Sequence, residues 1–358
     1  MNRISILIIF CFLPILVFAQ TPANDPHWQL KWEDQFNSFD ENRWARGNYV
    51  VHGSKNVMYL KDQVYVSNGN LVIAVSKNPI ECPTNPLFSP YICDSCTPGK
   101  TYNYRSGWVQ TFAEYSTQFG YIEARFKCSW RKGLQYAFWT FSHAPTNSNS
   151  AEIDIIETTG KFKTSSEFTT CLHTCYKDTD PKCIKPDLAR DHAFSNFSFS
   201  DYHTYAIEWD ANRIVWYLDG KAIRTSKNAQ LDNYNHSIID PVILNFNVGI
   251  RGDNINNSGF TTEFMQIDYV KVYSLKCDKN TVVTQIPNFN TYDYAVKKSI
   301  SLGSNTTMPA GSNITLRATD FIELKPGFEV QIGRQLYLDV SPCSDSGIIL
   351  KPDDPNRN

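Results

Sequence analysis

From Trp28 onward the chain advances in short runs rich in Val, Ile, Tyr, Phe and Trp, broken by turn residues, and a helical period is hard to find anywhere along it. Gln63 to Val66 and Asn70 to Ser76 show the pattern, two alternating segments separated by Ser-Asn-Gly. Such spacing commits the backbone to antiparallel sheets, and many short strands with turn signals between them predict an all-β sandwich or barrel. A chain of 358 residues can bury one large core of this kind and carry a smaller unit beside it.

Within this pattern Ala151-Glu-Ile-Asp-Ile-Ile-Glu157 stands apart, because three carboxylates interrupt a run of isoleucine that otherwise reads as a buried strand. Alternation puts Glu152 and Asp154 on one face and Ile153 and Ile155 on the other. Strict alternation would leave Glu157 among the isoleucines. A bulge at Ile155-Ile156 would return it to the face of Glu152 and Asp154. Three acids on one surface suit retaining glycoside hydrolysis, which uses one carboxylate as nucleophile and a second as acid and then base. A middle aspartate can hold a shared proton and keep its neighbours in different states. The same hexapeptide also fits an edge strand whose polar face meets water, and only the rest of the chain can decide.

Charge excludes some partners. A formal net charge of −2 gives no basic footprint for nucleic acid. Aromatic residues make up 14% of the chain, enough for a large core and for a sugar-stacking cleft. Residues 1–19 read as a secretory leader, with an apolar run too short to span a bilayer and Val17 and Ala19 at a cleavage-type site. The mature protein is therefore expected outside the cytoplasm, extracellular or periplasmic, without a membrane segment and as a monomer. Nine cysteines follow the leader, and in an exported chain they read as disulfides. Cys93-Asp-Ser-Cys96 looks like half of a zinc site whose other half is missing. Nine is odd, and Cys128, inside a strand-like run, is the expected unpaired buried thiol. Residues 79–104 and a stretch around Cys171 to Asp191 are cysteine-bearing insertions flanking the acidic strand, the first expected to be a disulfide-tied loop.

Further landmarks accompany the acidic strand in order: Trp28-Gln-Leu-Lys-Trp-Glu-Asp-Gln-Phe36, Arg105-Ser-Gly-Trp108, Phe119-Gly-Tyr-Ile-Glu-Ala-Arg125, Ala137-Phe-Trp139, Phe199-Ser-Asp-Tyr-His-Thr-Tyr-Ala-Ile-Glu-Trp209, Trp216-Tyr-Leu-Asp-Gly220 and Ile267-Asp-Tyr-Val-Lys-Val-Tyr273. With them, residues 27–275 resemble glycoside hydrolase family 16, in its branch with the longer, bulged acidic motif. The resemblance implies an all-β jelly-roll (concanavalin-like) sandwich of two curved antiparallel sheets. It also implies endo-acting hydrolysis of internal β-linkages with retention, in a β-1,3- or mixed-linked glucan or in a galactan such as agar, porphyran or carrageenan. A transglycosylase or a non-catalytic carbohydrate-binding protein are the other readings of the same sandwich. Carried over, Glu152 matches the nucleophile, Asp154 the helper acid and Glu157 the acid/base. Trp139 matches a cleft-floor aromatic, Trp130 is a second, with sandwich core as its other reading, and His173 matches a histidine facing the subsite beside the nucleophile. No cofactor is implied for catalysis. A structural calcium is implied on the far face, with Glu33 and Asp268 as the matching oxygen ligands. Two cleft positions depart from the family pattern, Gln135-Tyr136-Ala137 and Gly249-Ile250, which bears on the choice of substrate.

After Cys277 the composition shifts. Residues 276–295 read as a linker, 296–345 as a small β module resembling one found at the end of secreted Bacteroidetes proteins, and 346–358 as a tail. A Cys277–Cys343 disulfide would close this unit. Tyr292, Tyr294, Phe321 and Phe328 read as its core.

Overall fold

A computed structural model describes residues 28–340 apart from 53–55, 87–94, 143–151, 159–163, 174–188, 210–212, 228–237, 239–240, 252–258, 276–281, 284–290, 296–298 and the single positions 305, 307, 309 and 312. The leader, the tail, Cys277, Cys343 and most of the second insertion lie outside the described residues.

Two antiparallel-dominated sheets face each other, as the short alternating runs require. One has ten strands. Its main path runs Lys221–Lys227, Arg213–Leu218, His203–Trp209, Gly120–Cys128, Thr262–Leu275, Asn70–Ser76, Tyr104–Ser106, Val57–Tyr59, with Trp28–Asp34 and Val64–Ser67 as branches. The other has seven, in the order Arg190–Ala193, Glu167–His173, Glu152–Glu157, Leu134–Phe141, Ile243–Ile250, Trp108–Thr111, Trp44–Arg46. The turn at Asn68-Gly69 supplies two consecutive positive φ angles, 51° and 69°, and joins the pair read from Ser-Asn-Gly as a hairpin. Asp219-Gly220 does the same for the Trp216 strand and its partner.

The core lies between the sheets. Along Leu134–Phe141, Leu134, Tyr136, Phe138 and Thr140 are buried while Gln135, Trp139 and Phe141 are partly exposed, so one face of the seven-stranded sheet packs inward and the other stays open. Phe138 stacks on Phe246 at 4.4 Å between ring centres, and Phe126 stacks on Tyr205 at 4.2 Å. Cys128 is buried with a free thiol, as read from sequence, and Cys171 is a second buried free thiol. Cys82–Cys96 forms a disulfide across the first insertion. Cys96 is thereby removed from the half zinc site.

The last strands differ from the sandwich by running parallel. Val282–Val283, Ser299–Leu302 and Phe321–Leu324 form one ladder, and Thr291–Ala295, Asn313–Ala318 and Gln335–Val340 a second. The strands alternate between ladders along the chain, so each pair makes one rung of a small stack. Two of them fall within the stretch read as a linker, so the stack reaches back to Val282. Ile300, Leu302, Ile314 and Leu316 share one buried cluster with Trp28, Tyr121, Tyr217 and Tyr273 of the ten-stranded sheet. Phe321, read as core, is instead 51% exposed, because it lies on the outermost rung with no strand beyond it among the described residues. Phe328 packs against the cluster.

Candidate active site

The acidic strand lies in the middle of the seven-stranded sheet, paired on both sides. Its register shows the bulge directly. Against Leu134–Phe141, Ile156 faces Phe138 and Asp154 faces Trp139, which leaves Ile155 unmatched. Against Glu167–His173, Asp154 faces Cys171 and Glu157 faces Thr169, so Ile155 and Ile156 together oppose the single residue Thr170. Ile153, Ile155 and Ile156 all point into the core. Glu152, Asp154 and Glu157 are left on the open face, as the bulged reading of the hexapeptide requires.

A bulge frees main-chain groups that burial makes costly to leave unpaired. Here the opposite sheet meets them. Trp216 Nε1 donates to the Asp154 carbonyl at 3.0 Å, and Arg224 Nη1 donates to the Thr170 carbonyl at 2.8 Å and to its hydroxyl at 2.9 Å. The Arg224 guanidinium lies over the Trp216 ring, 4.3 Å from its centre. At the far end of the strand Thr158 Oγ1 accepts from the Tyr136 amide at 2.9 Å and donates to the Leu134 carbonyl at 3.1 Å, which pins the backbone just after Glu157.

Around the carboxylates the open face carries paired side chains. His173 stands opposite Glu152 in the ladder, and its Nε2 lies 3.2 Å from Asp154 Oδ2 and 3.9 Å from Glu152 Oε1. Gln135 Nε2 donates to Glu157 Oε1. Arg251 Nη2 lies 3.8 Å from the same oxygen. Gly249, across the ladder from Gln135, leaves room for this: a Cβ there would stand 3.2 Å from Gln135 Oε1 and 3.2 Å from the Tyr59 hydroxyl. Trp139 Nε1 donates to Asn247 Oδ1 at 2.8 Å, and Trp108 Nε1 to Asn245 Oδ1 at 3.1 Å. The two indoles lie 5.7 Å apart, with His52 5.1 Å beyond Trp108. Beside the acids, then, the partly exposed Trp139 offers an aromatic face on which a sugar ring can stack, backed by Trp108, which is buried in the core cluster.

The electrostatics follow from burial and crowding. Burial first, and then the Asp154 charge, raise Glu152 to about 8, with His173 pulling the other way. The same two causes raise Glu157 to about 7, against the pull of Arg251. His173 is pushed up to about 11 by its hydrogen bonds to Asp154 and Cys171, which outweigh desolvation, so at neutral pH it is an imidazolium. Both glutamates therefore keep protons near neutrality that ordinary carboxyls would have lost, Glu152 the more firmly.

Of the residues singled out from sequence, Glu152, Asp154, Glu157, His173 and Trp139 come together. Trp130 is half-buried against the sandwich core at the turn before Leu134–Phe141, its other reading. Glu33 and Asp268, the expected calcium ligands, each face a cation: Lys271 Nζ lies 3.9 Å from Glu33, and Arg125 Nη1 bonds Asp268. Sequence reasoning missed Arg251, Asn245, Asn247 and Cys171 as parts of the site and treated Gln135 only as a departure. Their signal is register. Gln135 lies two residues before Ala137, which faces Glu157, and Asn247 and Asn245 face Ala137 and Trp139.

A family model described as glycosyl hydrolases family 16 matches residues 52–271. Glucan endo-1,3-beta-glucosidase A1 of Niallia circulans is 25% identical over 271 residues, covering 68% of this chain and 37% of that protein. Kappa-carrageenase of Pseudoalteromonas carrageenovora is 24% identical over 320 residues, covering 81% of this chain and 75% of the relative. The chain spans no more than half the length of the first curated relatives it matches. Among solved structures, the catalytic domain of an endo-1,3-beta-glucanase (laminarinase) from Thermotoga petrophila RKU-1 superposes with a TM-score of 0.55 at 24% identity, over 70% of this chain and 98% of that one. This likeness establishes the jelly-roll fold.

Proposed function

The chain belongs to glycosyl hydrolase family 16, and from that premise we propose that it is an exported, endo-acting hydrolase that cuts internal β-linkages of a polysaccharide with retention, a β-1,3- or mixed-linked glucan in the first instance. The observation that carries the reading is the bulge at Ile155-Ile156, which lines Glu152, Asp154 and Glu157 along one open face beside Trp139 and Trp108.

Glu152 attacks the anomeric carbon while Glu157 gives its proton to the leaving glycosidic oxygen, which breaks that bond and leaves a glycosyl ester on Glu152. Glu157, now a carboxylate, takes a proton from water, whose oxygen displaces Glu152 and releases the sugar with its original configuration. The reactive arrangement puts the charge on Glu152 and the proton on Glu157, the reverse of the order in which burial raises them in the free protein, so the proton has to shift to Glu157 when substrate binds. The His173 imidazolium 3.9 Å from Glu152 favours charge there. Asp154 holds His173 in place and supplies part of the negative field that keeps Glu157 protonated near neutral pH.

The aromatic and amide floor supports a neutral glucan. A second reading, a sulfated galactan, is favoured by Arg251, whose half-exposed guanidinium stands next to Glu157 and could meet an anionic ring substituent. Reducing-end release from laminarin, lichenan, agarose, porphyran and carrageenan, by wild type and by Glu152→Gln, tests both. The proposal expects release from laminarin or lichenan that drops by several orders of magnitude in the variant. Undiminished activity in Glu152→Gln would remove Glu152 from its role, and release confined to porphyran or carrageenan would decide for the galactan.

A further inference from the structure

Cys171 has no part in the double displacement, yet it faces the carboxylates. It lies opposite Asp154 in the ladder, on the same face as His173 two residues on, while Thr170 and Leu172 beside it point into the core. Its thiol is free and 93% of the residue's surface is covered (7% exposed). One carboxylate oxygen of Asp154, the sulfur of Cys171 and one ring nitrogen of His173 all lie within 4.8 Å of one another. Two of the three sit on one rigid strand and the third on its hydrogen-bonded neighbour, so the cluster is held by the sheet and not by a loop.

We propose that Asp154, Cys171 and His173 form a binding site for one thiophilic divalent cation of the Zn²⁺ class, and that its occupancy blocks cleavage. Sulfur, imidazole and a single carboxylate are the donor set of a tetrahedral zinc-type site with three protein ligands and one open position. They are not the all-oxygen shell that Ca²⁺ or Mg²⁺ takes. His173 and Asp154, with nitrogen and oxygen 3.2 Å apart, already stand at the edge length of such a tetrahedron. Bringing the sulfur to bonding distance, about 2.3 Å from the metal, asks for a movement of roughly 1 Å. The fourth position opens toward the cleft, where the His173 side chain is 48% exposed. On binding, the thiol and imidazolium protons pass to solvent. The two protons released offset the charge brought in, so the cation acts by coordination: it takes the Asp154 oxygen that held His173, and its open position lies within reach of Glu152, whose Oε1 is 3.9 Å from His173 Nε2, and draws that oxygen away from attack.

The inhibition rests on the hydrolase reading, whereas the binding site does not, and the test separates them. The full-length mature protein is titrated with Co²⁺ alone and followed by absorption, which reports a thiolate–cobalt charge-transfer band and the intense visible bands of tetrahedral cobalt. The site predicts both at one equivalent. It also predicts weakening on the order of 100-fold in Cys171→Ser and in His173→Ala, each shown folded by its melting temperature, and full retention in Cys128→Ser. Absence of the band in wild type, or its survival in Cys171→Ser, overturns the site. Zn²⁺ at the concentration that displaces Co²⁺ is expected to lower hydrolysis at least tenfold. A filled site with unchanged hydrolysis overturns the block on cleavage while leaving the hydrolase reading intact.

Discussion

Arg251 and Gln135 meet Glu157 from the end of the site away from His173, and each acts on the proton that this glutamate carries. Arg251 lowers the affinity of Glu157 for that proton, against burial and Asp154, which raise it. Removing the guanidinium therefore raises Glu157, and a general acid with a raised pKa stays protonated to higher pH. Arg251→Gln is expected to move the alkaline limb of the kcat/KM profile upward by roughly half a unit, a modest shift because the guanidinium is half-exposed and screened. A pH series on whichever polysaccharide the protein is found to cleave checks it, and a limb that moves down would contradict the proposed assignment of the proton donor. At this scale the sequence was informative where chemistry is written in residue type. Glu152, Asp154 and Glu157 declared themselves as acids out of place among isoleucines. Arg251 and the two asparagines did not, since an arginine after Gly249-Ile250 or an asparagine in an apolar strand is unremarkable until the ladder places it beside Glu157 or Trp139.

The strand that carries the acids keeps its irregular shape because other strands answer for it. Trp216 and Arg224 come from the ten-stranded sheet, cross the core and take up the carbonyls of Asp154 and Thr170 at the bulge. Trp216→Phe keeps most of the packing volume but leaves the Asp154 carbonyl buried without this donor. A cost of about 1 to 3 kcal/mol in stability follows from the unpaired group. If the indole also sets the angle at which Asp154 and Glu157 leave the strand, kcat falls about tenfold or more while KM stays within about twofold. Denaturant unfolding and steady-state kinetics on one preparation separate the two effects. Loss of stability with unchanged kcat would limit Trp216 to a structural part. The bulge itself was legible in the sequence, because two residues between Asp154 and Glu157 leave no other way to align them. Its support was not. Trp216 belongs to a landmark whose position says only that a strand passes there, and nothing local to it points at a residue sixty-two positions away.

Across the whole molecule, sandwich and terminal stack are joined by a common interior. Ile300, Leu302, Ile314 and Leu316 are buried against Trp28, Tyr121, Tyr217 and Tyr273, which would otherwise present a broad aromatic face on the outer sheet. A stack of three short rungs has little core of its own, and sharing one with the sandwich offsets that shortage. Leu302→Ala is therefore expected to cost about 2 to 5 kcal/mol and to lower a single, common unfolding transition. Calorimetry that resolves an early transition of the stack, with the sandwich unaffected, would contradict the shared core. The sandwich was readable from alternation and turn residues alone. The stack was readable as short β-prone runs but not as parallel ladders, nor in its reach back to Val282, because parallel pairing is set by partners far along the chain and leaves little local mark.

At the centre of the proposed mechanism, Glu152 bonds to the sugar. The direct measurement is azide rescue of Glu152→Ala on an aryl β-oligoglucoside with a good leaving group, with the product identified by NMR. With the side chain gone, azide can occupy its place and attack the anomeric carbon from the same side, which gives an inverted, α-configured glycosyl azide. The account predicts that Glu152→Ala is inactive alone and is restored by azide with that product. A β-configured azide, or turnover without azide at the wild-type rate, would contradict it.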